Sequence, residues 1–386
     1  MMRRAAALLA LVLPALLLGA CETYNPLRWM GIYGEPANPP TPLTPIVAKV
    51  TVRAAWTASV GKSGDFMLRP AVGSGHVYAA SADGAFTVLD ENNGHVITRV
   101  ETKRKISGGL EVDEGQVYAG TLKGDLIAFT TAGKVIWDTP VSGEVIAPPA
   151  VSRGIVVVRT SDGRLLGVDA KDGKRKWVFQ RATPSLLLRS PAGVIAAGGD
   201  VVAGYPNGKL LAFDIEDGKL TWEVTVSLPR GATELERIAD VAGLPVIDGN
   251  SICAAAFQGK VACYDIQSRT MLWARDFSTA HALVTDAKNL YLVDESGAVQ
   301  ALDKKTGASV WKQDKLRYRH ITDPVVFDGK VVVGDGFGFI HVLSPDDGAL
   351  VGRLPLDGKQ VVSLVSALSG LLVQTQGGTV ASIRFR

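Results

Sequence analysis

The side chains best suited to chemistry are few and dispersed. The histidines are His76, His95, His281, His320 and His341, scattered without the short spacing that would bring two onto one metal ion. No nucleophile, histidine and carboxylate form a recognisable catalytic set. Gly334-Asp335-Gly336-Phe337-Gly338 has enough glycine for a phosphate cradle. Its context is strand and turn, and no helix follows to aim backbone N–H groups at an anion. The sequence therefore predicts no catalytic residue, no metal ligand and no cofactor. Cys253 and Cys263 flank Gln258-Gly259, a predicted hairpin turn. With a two-residue turn, Cys253 opposes Tyr264 and Cys263 opposes Ala254, which sends the two sulfurs to opposite faces. The expectation is free, buried thiols; a different loop length would change it.

A third cysteine has chemistry of another kind. Arg3 and Arg4 precede an apolar stretch from Ala5 to Leu18, and Leu18-Gly19-Ala20-Cys21 follows at once. The stretch is too short for a comfortable membrane span. The motif resembles the bacterial lipobox, which implies cleavage before Cys21 and a lipid on its sulfur. Residue 22 is Glu rather than the Asp of the inner-membrane retention signal, which favours the outer membrane. The next stretch carries Pro26, Pro36, Pro39, Pro40, Pro42 and Pro45 and cannot form a regular helix or a central strand. The domain reading is a signal peptide over 1–20, a lipidated tether over 21–50 and a single folded body over 51–386. The formal net charge is +3, to which Arg3 and Arg4 contribute two units. So even a balance argues against a nucleic-acid partner.

The body repeats itself. A turn glycine recurs at Gly84, Gly124, Gly163, Gly208, Gly259, Gly297, Gly338 and Gly378, at intervals of 38 to 41 residues except for two of 45 and 51. An apolar, β-branched run precedes most of these glycines, and an alternating strand such as Leu210-Leu211-Ala212-Phe213-Asp214 follows. A second turn then leads to a further strand. There Trp177, Trp222, Trp273 and Trp311 lie 14 residues after their turn glycine, and Trp137 lies 13 after its own. In the first and seventh units that position is Thr98 and Gly352, so those units lack the anchor. About 40 residues per unit accommodates four short strands, the size of a propeller blade. The last unit ends where its Trp strand should begin, and Val52 to Val60 holds Trp56 with no turn glycine before it. Pairing the two closes the ring. The expectation is an all-β, eight-bladed β-propeller of four-stranded antiparallel blades.

The two long intervals place their extra residues after Trp177 and after Trp222. Both insertions lie in connections from one blade's outer strand to the next blade's inner strand, so they fall on one face as neighbours, and such patches often mark a binding surface. The first holds Leu186-Leu187-Leu188-Arg189 between Pro184 and Pro191, apolar anchors beside a charge. Leu187 could equally pack beneath the loop. The second holds Glu234, Glu236, Arg237 and Asp240, and Asp240 has an internal alternative, an ion pair with Arg189 or Arg237.

The run Leu165-Leu166-Gly167-Val168-Asp169, then Asp172-Gly173 and Trp177, resembles the PQQ-type propeller repeat, and the resemblance covers residues 51–386. With the lipobox, the tether, Leu235-Glu236-Arg237-Ile238-Ala239-Asp240-Val241 and Val331-Val332-Val333-Gly334-Asp335-Gly336, the chain is similar to the propeller lipoproteins of the outer-membrane β-barrel assembly machinery. That resemblance implies a non-enzymatic periplasmic scaffold, anchored to the outer membrane. It would bind BamA-like POTRA domains of the barrel-forming subunit, work beside the other assembly lipoproteins and aid insertion of barrel proteins. It also implies that Leu186, Leu188, Arg189 and Asp240 contact the partner. The family's second acidic position falls on Ala242 here. Unfolded outer-membrane proteins are a further possible partner, through exposed blade edges, without a residue-level signal.

Two other readings share the fold. A PQQ-dependent dehydrogenase would need a cofactor-stacking tryptophan, a calcium site and a catalytic Asp. Here the tryptophans recur at one structural position, as blade anchors. The resemblance to such enzymes also implies adjacent cysteines, yet Cys253 and Cys263 are ten apart. A peptidoglycan- or carbohydrate-binding lipoprotein would need exposed aromatics at the channel mouth, and few are available.

Overall fold

The computed structural model describes residues 38–386 apart from Ala192; the predicted signal peptide and Cys21 lie outside the described residues. Eight antiparallel sheets of four strands follow one another along the chain. Seven are simple meanders. Blade 1, for example, runs Ala71–Gly73, His76–Ala80, Ala85–Asp90 and Val96–Glu101 from the axis outwards. The short first strands of successive blades lie against one another. The eighth sheet is composite: Val361–Ala367, Gly370–Thr375 and Thr379–Phe385 are completed by Val52–Ser59 from the start of the body. The pairing runs from Val52 opposite Phe385 to Ser59 opposite Thr379, so the ring closes as the orphan strand foretold.

The core lies between blades. Each sheet is covered on both faces by its neighbours, so second and third strands read as continuous apolar runs rather than alternating ones. Val77, Tyr78 and Ala79 are all fully buried. Fourth strands face solvent on one side and alternate: in Val135–Pro140 only Trp137 is buried.

The recurrent tryptophans fasten one blade to the next. The Trp137 indole N–H donates to the carbonyl of Ala170 at 2.9 Å, and that of Trp177 to Ile215 at 2.8 Å. Trp56, Trp273 and Trp311 repeat the bond to Glu91, Lys304 and Pro345. Each ring lies on a hairpin glycine of the next blade. At Gly218, with φ of +71°, a Cβ would come within 2.5 Å of the Trp177 ring. Trp222 shares the spacing but not the bond. The equivalent position of blade 5 is Arg269, with φ of +59°, whose side chain leaves no flat seat. Among the described residues the Trp222 N–H has no acceptor, and its ring meets Tyr264 edge-on instead.

Two expectations are corrected. Cys253 lies directly opposite Cys263, and the two form a disulfide. The turn is one residue longer than a two-residue hairpin: Ala256 N–H bonds the Lys260 carbonyl across Phe257-Gln258-Gly259, and Gln258 takes the positive φ. The added residue shifts register by one and puts both sulfurs on one face. Residues 41–50, predicted as tether, lie along blade 7. Leu43 and Ile46 pack on the apolar cluster between blades 6 and 7, and the Lys49 and Val50 N–H groups both bond the carbonyl of Val351. Thr41–Arg386 forms one compact unit.

Candidate functional site

The two insertions connect Arg175–Phe179 to Ile195–Ala197 and Leu220–Thr225 to Val246–Asp248. Neither insertion has strand partners of its own, so each must satisfy its backbone locally. The second loop does so with a tight turn. Glu236 accepts the N–H groups of Ala232 and Thr233, which hold its carboxyl below the usual range, and the Arg237 guanidinium returns to the Gly231 carbonyl. Glu234, Glu236 and Arg237 are exposed.

Within the first loop, Leu186 is 48% exposed, Leu187 and Leu188 are half-buried and Arg189 is exposed. Arg189 pairs with Glu144 of the neighbouring connection at 2.8 Å. Asp240, grouped with these residues by the sequence, is 5% exposed. Its alternative as an ion partner of Arg189 or Arg237 is not realised. Its carboxylate takes the Leu188 N–H at 2.7 Å and the Asn207 N–H at 3.3 Å. The repeat explains why. In most blades the residue three before the turn glycine caps its own turn with an oxygen, as Ser81 does for Ala85 and Thr121 for Asp125. In blade 4 that residue is Tyr205, and Asp240 supplies an oxygen from the second loop to the turn. One carboxylate thereby caps a turn and ties the two insertions together. Ser190 adds a second tie to the Ala242 carbonyl. Ala242 is itself buried, at 2% exposure, so an acid at that position would not simply add to the exposed charge.

The structure brings Leu186, Leu188, Arg189 and Asp240 onto one connected patch, with Leu186 and Arg189 presented outwards. Sequence reasoning passed over Leu228 and Leu235 in the second loop, which are 66% and 65% exposed. The signal was present: apolar residues in an insertion that belongs to no strand.

Elsewhere, a cavity of about 240 Å³ is lined by Arg69, Glu111, Pro148, Val151, Val194 and Leu244. Burial, against the pull of Arg69, pushes the Glu111 carboxyl up. No tryptophan lines it. Among the described residues no group of three or more His, Cys, Asp or Glu is placed to hold a metal ion.

The family model described as outer membrane protein assembly factor BamB matches residues 82–313. The chain belongs to the BamB family. It is 38% identical over 347 residues to the outer membrane protein assembly factor BamB of Bordetella pertussis, covering 89% of this chain and 90% of that one. The crystal structure of BamB from Moraxella catarrhalis superposes with a TM-score of 0.80 at 25% identity, over 86% of this chain and all of that one. The quinohemoprotein alcohol dehydrogenase of Comamonas testosteroni reaches 0.70 at 13% identity, over 86% of this chain and 76% of that one, which is a likeness of fold alone. The BamB relatives are named as assembly factors, and the chain stands with them, not with the enzymes.

Proposed function

We propose that this BamB-family chain is a lipid-anchored scaffold at the periplasmic face of the outer membrane. Lipid on Cys21 holds it there, and it binds POTRA domains of the barrel-forming subunit, beside the other assembly lipoproteins, to aid folding and insertion of barrel proteins. The docking surface is the pair of joined insertions. Leu186 and Arg189 make direct contact, and Leu188 and Asp240 fix the shape of the loop that carries them. The observation that supports this most is the Asp240 carboxylate bonded to the Leu188 N–H. It holds an exposed leucine and an exposed arginine on a rigid base, as an interface anchor requires.

The test is binding of purified, detergent-solubilised barrel-forming subunit to the immobilised mature chain. Leu186→Asp and Arg189→Glu should each weaken capture tenfold or more without changing Tm, because an exposed ion pair such as Arg189–Glu144 contributes only about 0.2–1 kcal/mol to the fold. Unchanged capture by both variants would remove the patch from the docking role.

A further inference from the structure

The repeat offers a standard against which single positions can be judged. Four residues before the turn glycine, most blades place a small or apolar side chain: Ala80, Gly120, Gly204, Ala255, Val293 and Gly334. Blade 8 has Gln374, and blade 3 has Arg159. One residue later, where six of the eight blades have Ser, Thr or Asp and blade 5 has Ala256, blade 4 has Tyr205. These two departures are side by side beneath the first insertion. The Arg159 guanidinium lies over the Tyr205 ring, 5.3 Å from its centroid.

Both side chains line a cavity of about 20 Å³, together with Thr160, Leu187, Leu188 and Asp240. That volume holds one oxygen-sized group. Among the described residues two hydrogen-bond donors there have no acceptor: Arg159 Nη1, and the hydroxyl of Tyr205, a residue only 2% exposed. Neighbouring arginines each have a carboxylate. Arg164 pairs with Asp162, Arg181 with Glu223 and Arg189 with Glu144. Arg159 makes no ion pair among the described residues. The anion beside it, Asp240, has each oxygen on a backbone N–H. Burial, opposed by Tyr205 and Asp240, works against the charge on Arg159, and burial keeps the Tyr205 phenol protonated and a donor.

We infer that Arg159 and Tyr205 form a receptor for a carboxylate oxygen, supplied by an acidic side chain of the protein that docks on the first insertion. Charge complementarity sets the occupant: two donors, one of them cationic, converge on space for one acceptor. The inference rests on the docking role proposed for Leu186 and Arg189. The one anion beside the half-buried Arg159 is Asp240, whose two oxygens are already committed to backbone N–H groups. Desolvation of the guanidinium is therefore only partly offset in the free protein, and the partner's carboxylate completes that offset only in the complex.

The probe is again purified, detergent-solubilised barrel-forming subunit, with capture and Tm measured for each variant. Arg159→Met should weaken capture tenfold or more while Tm stays equal to the wild type or rises. Tyr205→Phe should weaken capture two- to tenfold at unchanged Tm. If Arg159→Met lowers Tm sharply, the guanidinium is a structural element and the receptor is overturned. If both variants capture normally while Leu186→Asp does not, the cavity holds only water and the receptor is overturned, but the docking patch stands. If Leu186→Asp and Arg189→Glu capture normally as well, the docking role fails and the receptor falls with it.

Discussion

At the residue scale, the glycine-rich stretch that resembles a phosphate cradle has another use. Asp335 is fully buried, and one of its oxygens accepts the N–H groups of Phe337 and Phe339, both at 2.9 Å. The other oxygen takes Arg319 at 2.8 Å and His341 at 3.0 Å. Arg353 Nε donates to the second ring nitrogen of His341, at 3.3 Å, so the His341 proton must be on Nε2. Arg319 and Arg353 then reach the carbonyls of Thr41 and Thr44, fastening the N-terminal segment to blade 7. Burial, opposed by Asp335 and aided by Arg353, holds the His341 pKa below its ordinary value. A second proton would also meet the Arg353 donor. The unfolded chain therefore takes up that proton first, and the His341 contribution is present above the unfolded value of about 6.5 and is lost as pH falls below it. His341→Gln keeps a neutral donor and acceptor. Its Tm should change less than that of the wild type between pH 7 and pH 5. Parallel profiles for the two proteins would show that His341 is not the titrating group.

At the element scale, the hairpin is the unit that decides faces. The period of the turn glycines and the tryptophan offset were legible because they reflect backbone geometry repeated in every blade. The missing anchors at Thr98 and Gly352 were legible for the same reason. Trp222 was not, because its seat depends on residue 269 of the next blade, where Arg replaces the usual glycine. The Cys253–Cys263 hairpin was misread because Gln258-Gly259 looks like a two-residue turn. Only Gln258 takes a positive φ, and Gly259 does not. Asp240 was grouped with the first insertion, to which its carboxylate is bonded through the Leu188 N–H, but its depth was not legible: its burial follows from Tyr205, far away in sequence. The disulfide makes its own prediction. It joins opposed residues of Ser251–Ala255 and Lys260–Asp265, closing a short loop. Breaking such a link typically costs about 2–4 kcal/mol, and less here because the hairpin already restricts the ends. Cys253→Ala with Cys263→Ala should lower unfolding stability by about 1–2 kcal/mol in non-reducing buffer. In dithiothreitol the wild type should fall to the same level, and a wild-type stability indifferent to reductant would contradict the bond.

At the scale of the whole molecule, the ring makes every blade depend on two neighbours, and closure removes the sheet edges that an open propeller would expose. Blade 8 is the joint. Three strands from one end of the chain meet Val52–Ser59 from the other, and Thr51 and Arg386 exchange backbone hydrogen bonds at 2.8 and 3.0 Å. If the ring is stabilised by its geometry, where the chain breaks is of little consequence. A permutant that links Arg386 to Thr51 by a short Gly/Ser segment, with new termini at the exposed Glu114-Gly115 turn, keeps every strand pair. It loses residues 41–50 from blade 7, and with them the cover over Val351. Exposed turns tolerate such cuts. The permutant should therefore fold as a monomer with one cooperative transition, a Tm a few degrees lower, and unchanged capture of the barrel-forming subunit. Aggregation or a broad, multi-step melt would mean that the order of chain entry, not closure, determines the fold. Normal folding with lost capture would assign residues 41–50 a part in docking that the two insertions do not require.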